Sequence, residues 1–332
     1  MSISASELLA IRDFLVIVAK EAGDIITSAK PSSSNLTTKK NSTPQWKRKS
    51  ETFETTDIVT DTDKAVENLI ATRLIAKYPE YEFVGEESFD AARETITAAP
   101  TWIVDPIDGT SNFVHGLPEV CVSLALVVAR RPAVGVVYNP FQRELFAAVA
   151  GAGAFHQHPA LNAGEPRPLR ADVPPPPPLT GLRDACVGID FGSDRSGPNF
   201  ALNLAVFAAL ASSDSAGGGR FAHALRATNC ASESVCRVAA GQLDCWWECG
   251  AYAWDVAAAW CVLSEAGGVM VDGHPGGGGG GGDSGWDPPI DNRRYLAVRP
   301  AREGQGELVE EFWGVVGEGR STYGPPPPPP SS

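Results

Sequence analysis

The chain has 332 residues, 43% of them apolar and 20% charged, with a formal net charge of −13. That length supports one large domain or two modest ones with a sizeable core. The acidic balance argues against non-specific binding to nucleic acid or to an anionic membrane, since each needs a basic patch, and no apolar run is long enough to span a bilayer.

Leu8, Leu9, Ile11, Phe14, Leu15 and Val18 recur at helical spacing and predict an amphipathic helix over 6–30, not a signal peptide. Residues 31–56, rich in Ser, Thr and Lys, predict a loop, and within it 43–55 reads as an insertion. A second helix is expected over 62–77, with Val66, Leu69, Ile70 and Leu74 on one face and Tyr78-Pro79 as its stop. Strands are expected over 101–104, 121–128, 133–138 and 144–149, the last three forming a meander.

The proline run at 174–178 reads as a linker or surface loop. A strand over 185–190 and helices over 199–210, 232–240 and 255–266 follow, the last stopped by Gly267-Gly268. A flexible loop is expected at 276–282 and a disordered tail at 325–332. This mixture predicts layered α/β or α+β packing. The seven cysteines have no tight metal-type spacing and read as reduced thiols of a cytoplasmic protein. Cys245 and Cys249 can share a helix or hairpin face, and the five histidines show no ligand spacing.

The most informative stretch runs from Asp105 through Pro106, Ile107, Asp108, Gly109, Thr110 and Ser111 to Asn112 and Phe113. An apolar strand delivers two carboxylates into a turn, where they and an intervening carbonyl can converge on a hard cation. The amides after Gly109 open a possible helix and an anion site. A metal cluster beside a phosphate cradle suits phosphoryl hydrolysis. The plainer alternative is an Asx-turn with a helix cap. Taken singly, Glu86-Glu87 also reads as a solvated loop. Asp57, Asp61, Asp63 and Asp255 read as helix caps, and Glu248 as a surface residue.

Four segments in order change that weighting. They are Asp57 to Asp63 with its helix, Gly85-Glu86-Glu87-Ser88, Trp102 to His115 around Asp105 and Asp108, and Trp254-Asp255-Val256-Ala257-Ala258 leading to Gly267-Gly268. Together they resemble the inositol monophosphatase family, strongly over 57–155 and more loosely over 225–300.

The resemblance implies the αβαβα sandwich of the sugar-phosphatase superfamily. It implies a metal-binding part at 1–180, a part at 181–324 that closes the site, and the tail at 325–332. It implies Mg²⁺-dependent hydrolysis of an inositol monophosphate, with a related phosphatase for adenosine bisphosphate or another sugar or cyclitol phosphate, or a catalytically weak regulatory homologue, as alternatives.

By the same resemblance, Glu86, Asp105 and the Ile107 carbonyl would hold a first Mg²⁺, and Asp105, Asp108 and Asp255 a second. Asp63 and Thr110 would orient and deprotonate the attacking water. Gly109, Thr110 and Ser111 would hold the phosphate, while Glu248 and Asp255 would meet the substrate. The partner implied is a small phosphate ester, the assembly a homodimer. The chain departs from the family at Asn229-Cys230-Ala231-Ser232, where small residues are usual, and before Asp57, where Lys39 or Lys40 stands in for a site lysine.

Overall fold

The computed structural model describes residues 3–29, 37–38, 58–59, 61–90, 95–169, 176–276 and 287–323. Lys39, Lys40, the expected insertion at 43–55, Asp57, part of the proline run, the glycine loop beyond Gly276 and the tail lie outside these residues.

Helix α1 (Ala5–Ser28) precedes two-residue strands β1 (Thr37–Thr38) and β2 (Ile58–Val59), helix α2 (Asp61–Lys77), and strands β3 (Glu82–Gly85) and β4 (Thr101–Asp108). Short helix α3 (Thr110–His115) leads to β5 (Cys121–Val128), β6 (Arg131–Asn139), β7 (Glu144–Val149), β8 (Gly153–Gln157) and β9 (Arg167–Leu169). Then come β10 (Cys186–Ile189), α4 (Gly197–Ala211), β11 (Ala224–Arg226), α5 (Ala231–Ala239), β12 (Cys245–Cys249), α6 (Ala253–Ala266), β13 (Val269–Asp272), β14 (Arg294–Val298) and α7 (Gln305–Val316).

Seven strands form one sheet in the order β3-β4-β5-β6-β7-β8-β9, antiparallel except for the β3–β4 pair. Five form a second, β11-β10-β12-β14-β13. The period-2 alternation of strand side chains sorts the core into three clusters. Trp102, Val104, Val122, Leu124 and Leu126 pack with Ile11, Leu15 and Val18 of α1 and with Val66, Ile70 and Leu74 of α2. On the opposite face, Ile103, Ala125 and Val127 pack with α5 and α6, which also meet Trp246, Tyr295 and Ala297 of the second sheet. The far face of that sheet is covered by Leu202 and Val206 of α4 and by Leu308 and Phe312 of α7. Helix pair, sheet, helix pair, sheet, helix pair is the αβαβα sandwich.

Most expected elements are present with shifted ends, but β4 runs to Asp108 instead of ending at 104, and α6 begins at Ala253 instead of 255. The β4 extension positions the site. Asp105 pairs with Ser123, and Asp108 with Cys121, so β4 carries one residue more than β5 between them. Residues three apart in a regular strand face opposite ways; the bulge brings both Asp to one face. Pro106, which has no N–H to give a ladder, suits such a bulge. The shared face is the one toward α6, since Ser123 Oγ donates to the Trp254 carbonyl at 3.0 Å.

Helix α6 can lie that close because β6 carries Gly135. A Cβ there would fall on the Ala258 carbonyl oxygen and 2.9 Å from the Cys261 Cβ. Gly135→Ala should push α6 off the sheet, at about the 1–3 kcal/mol of an overpacked core. A clear fall in melting temperature is expected, and an unchanged one would refute this packing.

Candidate active site

Strand β4 delivers Asp105 and Asp108 to the layer between the sheets, and both are almost fully buried. Asp105 Oδ1 accepts from the Ile107 amide at 3.0 Å, which closes the turn around Pro106. Asp108 Oδ2 accepts from the Ser232 amide at 2.6 Å, in the first turn of α5. Asp255 sits three residues after Tyr252, the residue that precedes α6, and accepts from the Tyr252 amide at 2.6 Å. It therefore makes the cap-type bond of the plainer reading and still lies among the other carboxylates.

Glu86 extends the β3–β4 pairing through its amide, 3.1 Å from the Val104 carbonyl. The next residue is held from below: the Glu87 amide donates to Glu67 Oε2 at 2.8 Å, and Glu67 is buried on α2. Sequence reasoning missed Glu67. Its only signal is an acidic residue on the apolar face of a helix, one position after Val66.

The electrostatics mark a gathering of like charges. The Asp105 carboxyl is pushed well up by burial and by the neighbouring charges of Glu86, Asp108 and Asp255. Burial raises Asp108 to about 7 against the pull of its Ser232 bonds. Asp255 is raised well above the carboxylate range by burial, Asp108 and Glu86. Glu248 is not the surface residue of the plainer reading. It lies on β12, half-buried, raised by burial and by Asp190, Asp255 and Asp108, with Arg293 opposing. Carboxylates crowded this way without a cation hold protons, as expected of a ligand set for a hard cation. An all-oxygen donor set suits Mg²⁺.

Beside the cluster, Thr110 Oγ1 lies 3.3 Å from Asp63 Oδ1 and 3.1 Å from the Ile107 carbonyl. Asp63 is fully buried in the first turn of α2. Gly109 takes φ +90°, and a Cβ there would come within 2.6 Å of the Glu119 carbonyl. This lets β4 turn into α3, with Thr110 and half-buried Ser111 in its first turn.

The 229–232 departure proves to be part of the same assembly. Asn229 has φ +52°, a left-handed conformation that Asn tolerates better than most non-glycine residues. Its amide donates to buried Asp190 at 2.9 Å, and Asn112 of α3 donates to the Thr228 carbonyl at 2.7 Å. Ser232 Oγ donates to the Asp255 carbonyl at 2.7 Å. Asn-Cys-Ala-Ser thus ties Asp108 to Asp255. The structure brings together Asp63, Glu86, Asp105, Ile107, Asp108, Gly109, Thr110, Ser111 and Asp255 on the ends of β3 and β4 and the starts of α2, α3 and α6, with Glu248 at the edge on β12.

The model of the inositol monophosphatase family matches residues 7–316. The chain belongs to the inositol monophosphatase family. It is 41% identical over 268 residues to inositol monophosphatase 2 of Saccharomyces cerevisiae, covering 79% of this chain and 84% of that one. It is 33% identical over 332 residues to the quinic acid degradation cluster protein x of Neurospora crassa, covering 93% and 94%. Among solved structures, the extragenic suppressor protein suhB of Bartonella henselae superposes with a TM-score of 0.68 at 25% identity, over 94% of this chain and all of that one. The family is metal-dependent in general, and its members, this chain among them, are phosphoric monoester hydrolases. No described helix is long and apolar enough to cross a membrane.

The raised carboxyls have a consequence for stability. A carboxyl whose pKa is higher folded than unfolded binds its proton more tightly in the fold. Stability is then lost as pH rises from the unfolded value toward the folded one. For Asp108 that window runs from 3.8 to about 7. In chelator, the melting temperature should fall as pH rises from about 4 to about 7, and Mg²⁺ should reduce that fall by replacing the protons. A melting temperature that rises with pH in chelator would contradict this electrostatic picture.

Proposed function

We propose that this enzyme hydrolyses an inositol monophosphate to inositol and phosphate, with Mg²⁺ as its cofactor. The observation that carries the proposal is the convergence of Glu86, Asp105, Asp108 and Asp255 beside the hydrogen-bonded Asp63–Thr110 pair. Glu86, Asp105 and the Ile107 carbonyl would hold one Mg²⁺, and Asp105, Asp108 and Asp255 a second. When bound, Mg²⁺ supplies Lewis acidity: it makes water more acidic and stabilises the departing alkoxide.

The other steps belong to the chain's own groups. Thr110 has a single hydroxyl proton. Donating it to Asp63 leaves the oxygen's lone pairs free to accept from the attacking water. Asp63 is then the base behind Thr110. The Gly109, Thr110 and Ser111 amides would orient the phosphate oxygens, so that attack and departure lie in line and no phospho-enzyme is required. Glu248, on β12 of the second sheet, would accept hydrogen bonds from ring hydroxyls, and Asp255 would meet the substrate as well as a metal.

In this reading the residues of 1–180 supply most ligands and those of 181–324 close the site, the free thiols fit a cytoplasmic protein, and the assembly is the homodimer that the resemblance implies. A relative named for a quinic acid degradation cluster, matched over nearly the whole chain, favours a second substrate, the phosphate of another polyhydroxylated ring.

Phosphate release with Mg²⁺ should be greatest on inositol monophosphates in a panel that also holds adenosine bisphosphate, fructose bisphosphate and other cyclitol phosphates. It should vanish in chelator and be inhibited by Li⁺. Turnover in chelator would overturn the metal chemistry, and preference for another ester would reassign the substrate.

The Asp63–Thr110 pair should behave as one unit. Thr110→Ala, Asp63→Asn and the double variant should each lose a similar factor in kcat, about 10²–10⁴. If Asp63 matters only to the helix end, Asp63→Asn lowers the melting temperature and spares kcat. Multiplicative losses would also rule out the pair.

A further inference from the structure

The sequence places no cysteines at metal-type spacing, yet the fold brings two of them together from 109 residues apart. Cys121 Sγ on β5 and Cys230 Sγ at the start of α5 lie 3.5 Å apart, both buried. Cys230 Sγ is also 3.7 Å from the Asp108 carbonyl oxygen. One carboxylate oxygen of Asp108 completes a group of three ligand atoms, all within 4.8 Å of one another.

The bulge explains the triad. Asp108 pairs with Cys121 in the β4–β5 register, and the Ser232 amide that holds Asp108 lies two residues after Cys230. All three ligands stand on the rigid ends of packed elements. Two thiolates on one tetrahedral ion, with metal–sulfur bonds of about 2.3 Å, sit roughly 3.8 Å apart. The observed sulfur separation therefore needs only a small side-chain adjustment.

We infer that Asp108, Cys121 and Cys230 form a binding site for one thiophilic divalent cation, Zn²⁺ or a similar ion, behind the carboxylate cluster. Sulfur ligands select such ions over Mg²⁺, which takes oxygen. The two sites share one residue, Asp108. A cation held by the thiols draws the Asp108 carboxylate toward them and away from the neighbouring carboxylates, so occupancy stops hydrolysis even in excess Mg²⁺. This second part rests on the proposed role of Asp108, while the binding itself does not.

The test is a Co²⁺ titration of the whole protein in excess Mg²⁺, under a phosphine reductant. The thiolate-to-cobalt charge-transfer band is followed together with phosphate release from inositol monophosphate. The expected result is a band that saturates at one equivalent and is lost in both Cys121→Ser and Cys230→Ser but kept in Cys261→Ser. Wild-type turnover should fall at least tenfold in step with the band, whereas each of the two serine variants should keep its own turnover across the titration. A wild-type protein with no band overturns the proposal whether or not the variants fold. So does a band that survives Cys121→Ser, or a saturated band with turnover intact. If no ester is hydrolysed before cobalt is added, the functional reading fails while the band still reports the site.

Discussion

The mutual repulsion of carboxylates gathered out of water is the constraint on which the rest of the structure depends. Asp108 and Asp255 lie near enough to raise the Asp105 pKa, Asp108 raises that of Asp255, and Glu86 adds its charge against all three. Such an arrangement costs free energy in the folded state until protons or a cation neutralise it. It persists because each carboxylate is held by a rigid element whose position is set by burying apolar surface elsewhere. Strand β4 is buried along its whole length, locked between α1 and α2 on one face and α5 and α6 on the other.

The main-chain amides around the cluster offset part of that cost. Ile107 donates to Asp105, Ser232 to Asp108 and Tyr252 to Asp255. Each is a charge-assisted bond to a group that burial would otherwise leave unsatisfied. These donors come from three separate segments, so the site forms only when both sheets and the helices between them are in place. Glu67 adds a fourth tie, from α2 to the turn that presents Glu86. Helix α6 serves two purposes: it fills the space between the sheets with Val256, Ala257, Ala258 and Trp260, and its first turn carries Asp255.

The 229–232 segment solves the problem of holding Asp108 from the start of α5. Asn229 takes the left-handed backbone, and Cys230 and Ser232 turn toward Asp108. The price of that solution is a thiol pair behind a site of oxygen ligands. A purely oxygen-lined site would discriminate against thiophilic ions by chemistry alone, and this one does not.

Some of this was legible in the sequence, because local chemistry determines it. The helical spacing of Leu8 to Val18 and of Val66 to Leu74, the Gly267 stop with φ +93°, and the Asp-Pro-Ile-Asp-Gly turn are all short-range patterns. Four segments taken together also proposed the candidate site residues. What lay beyond the sequence depends on contacts between distant segments. The register shift that turns Asp105 and Asp108 to one face is a property of β4 paired with β5. The short strands β8, β9 and β11 acquire their pairing from neighbours. Asp255 and Glu248 look like a cap and a surface residue until α6 and β12 are laid against the first sheet. The contacts of Glu67 with Glu87, and of Cys121 with Cys230, join residues 20 and 109 positions apart. No local periodicity encodes them, and only the close packing of the layers decided them.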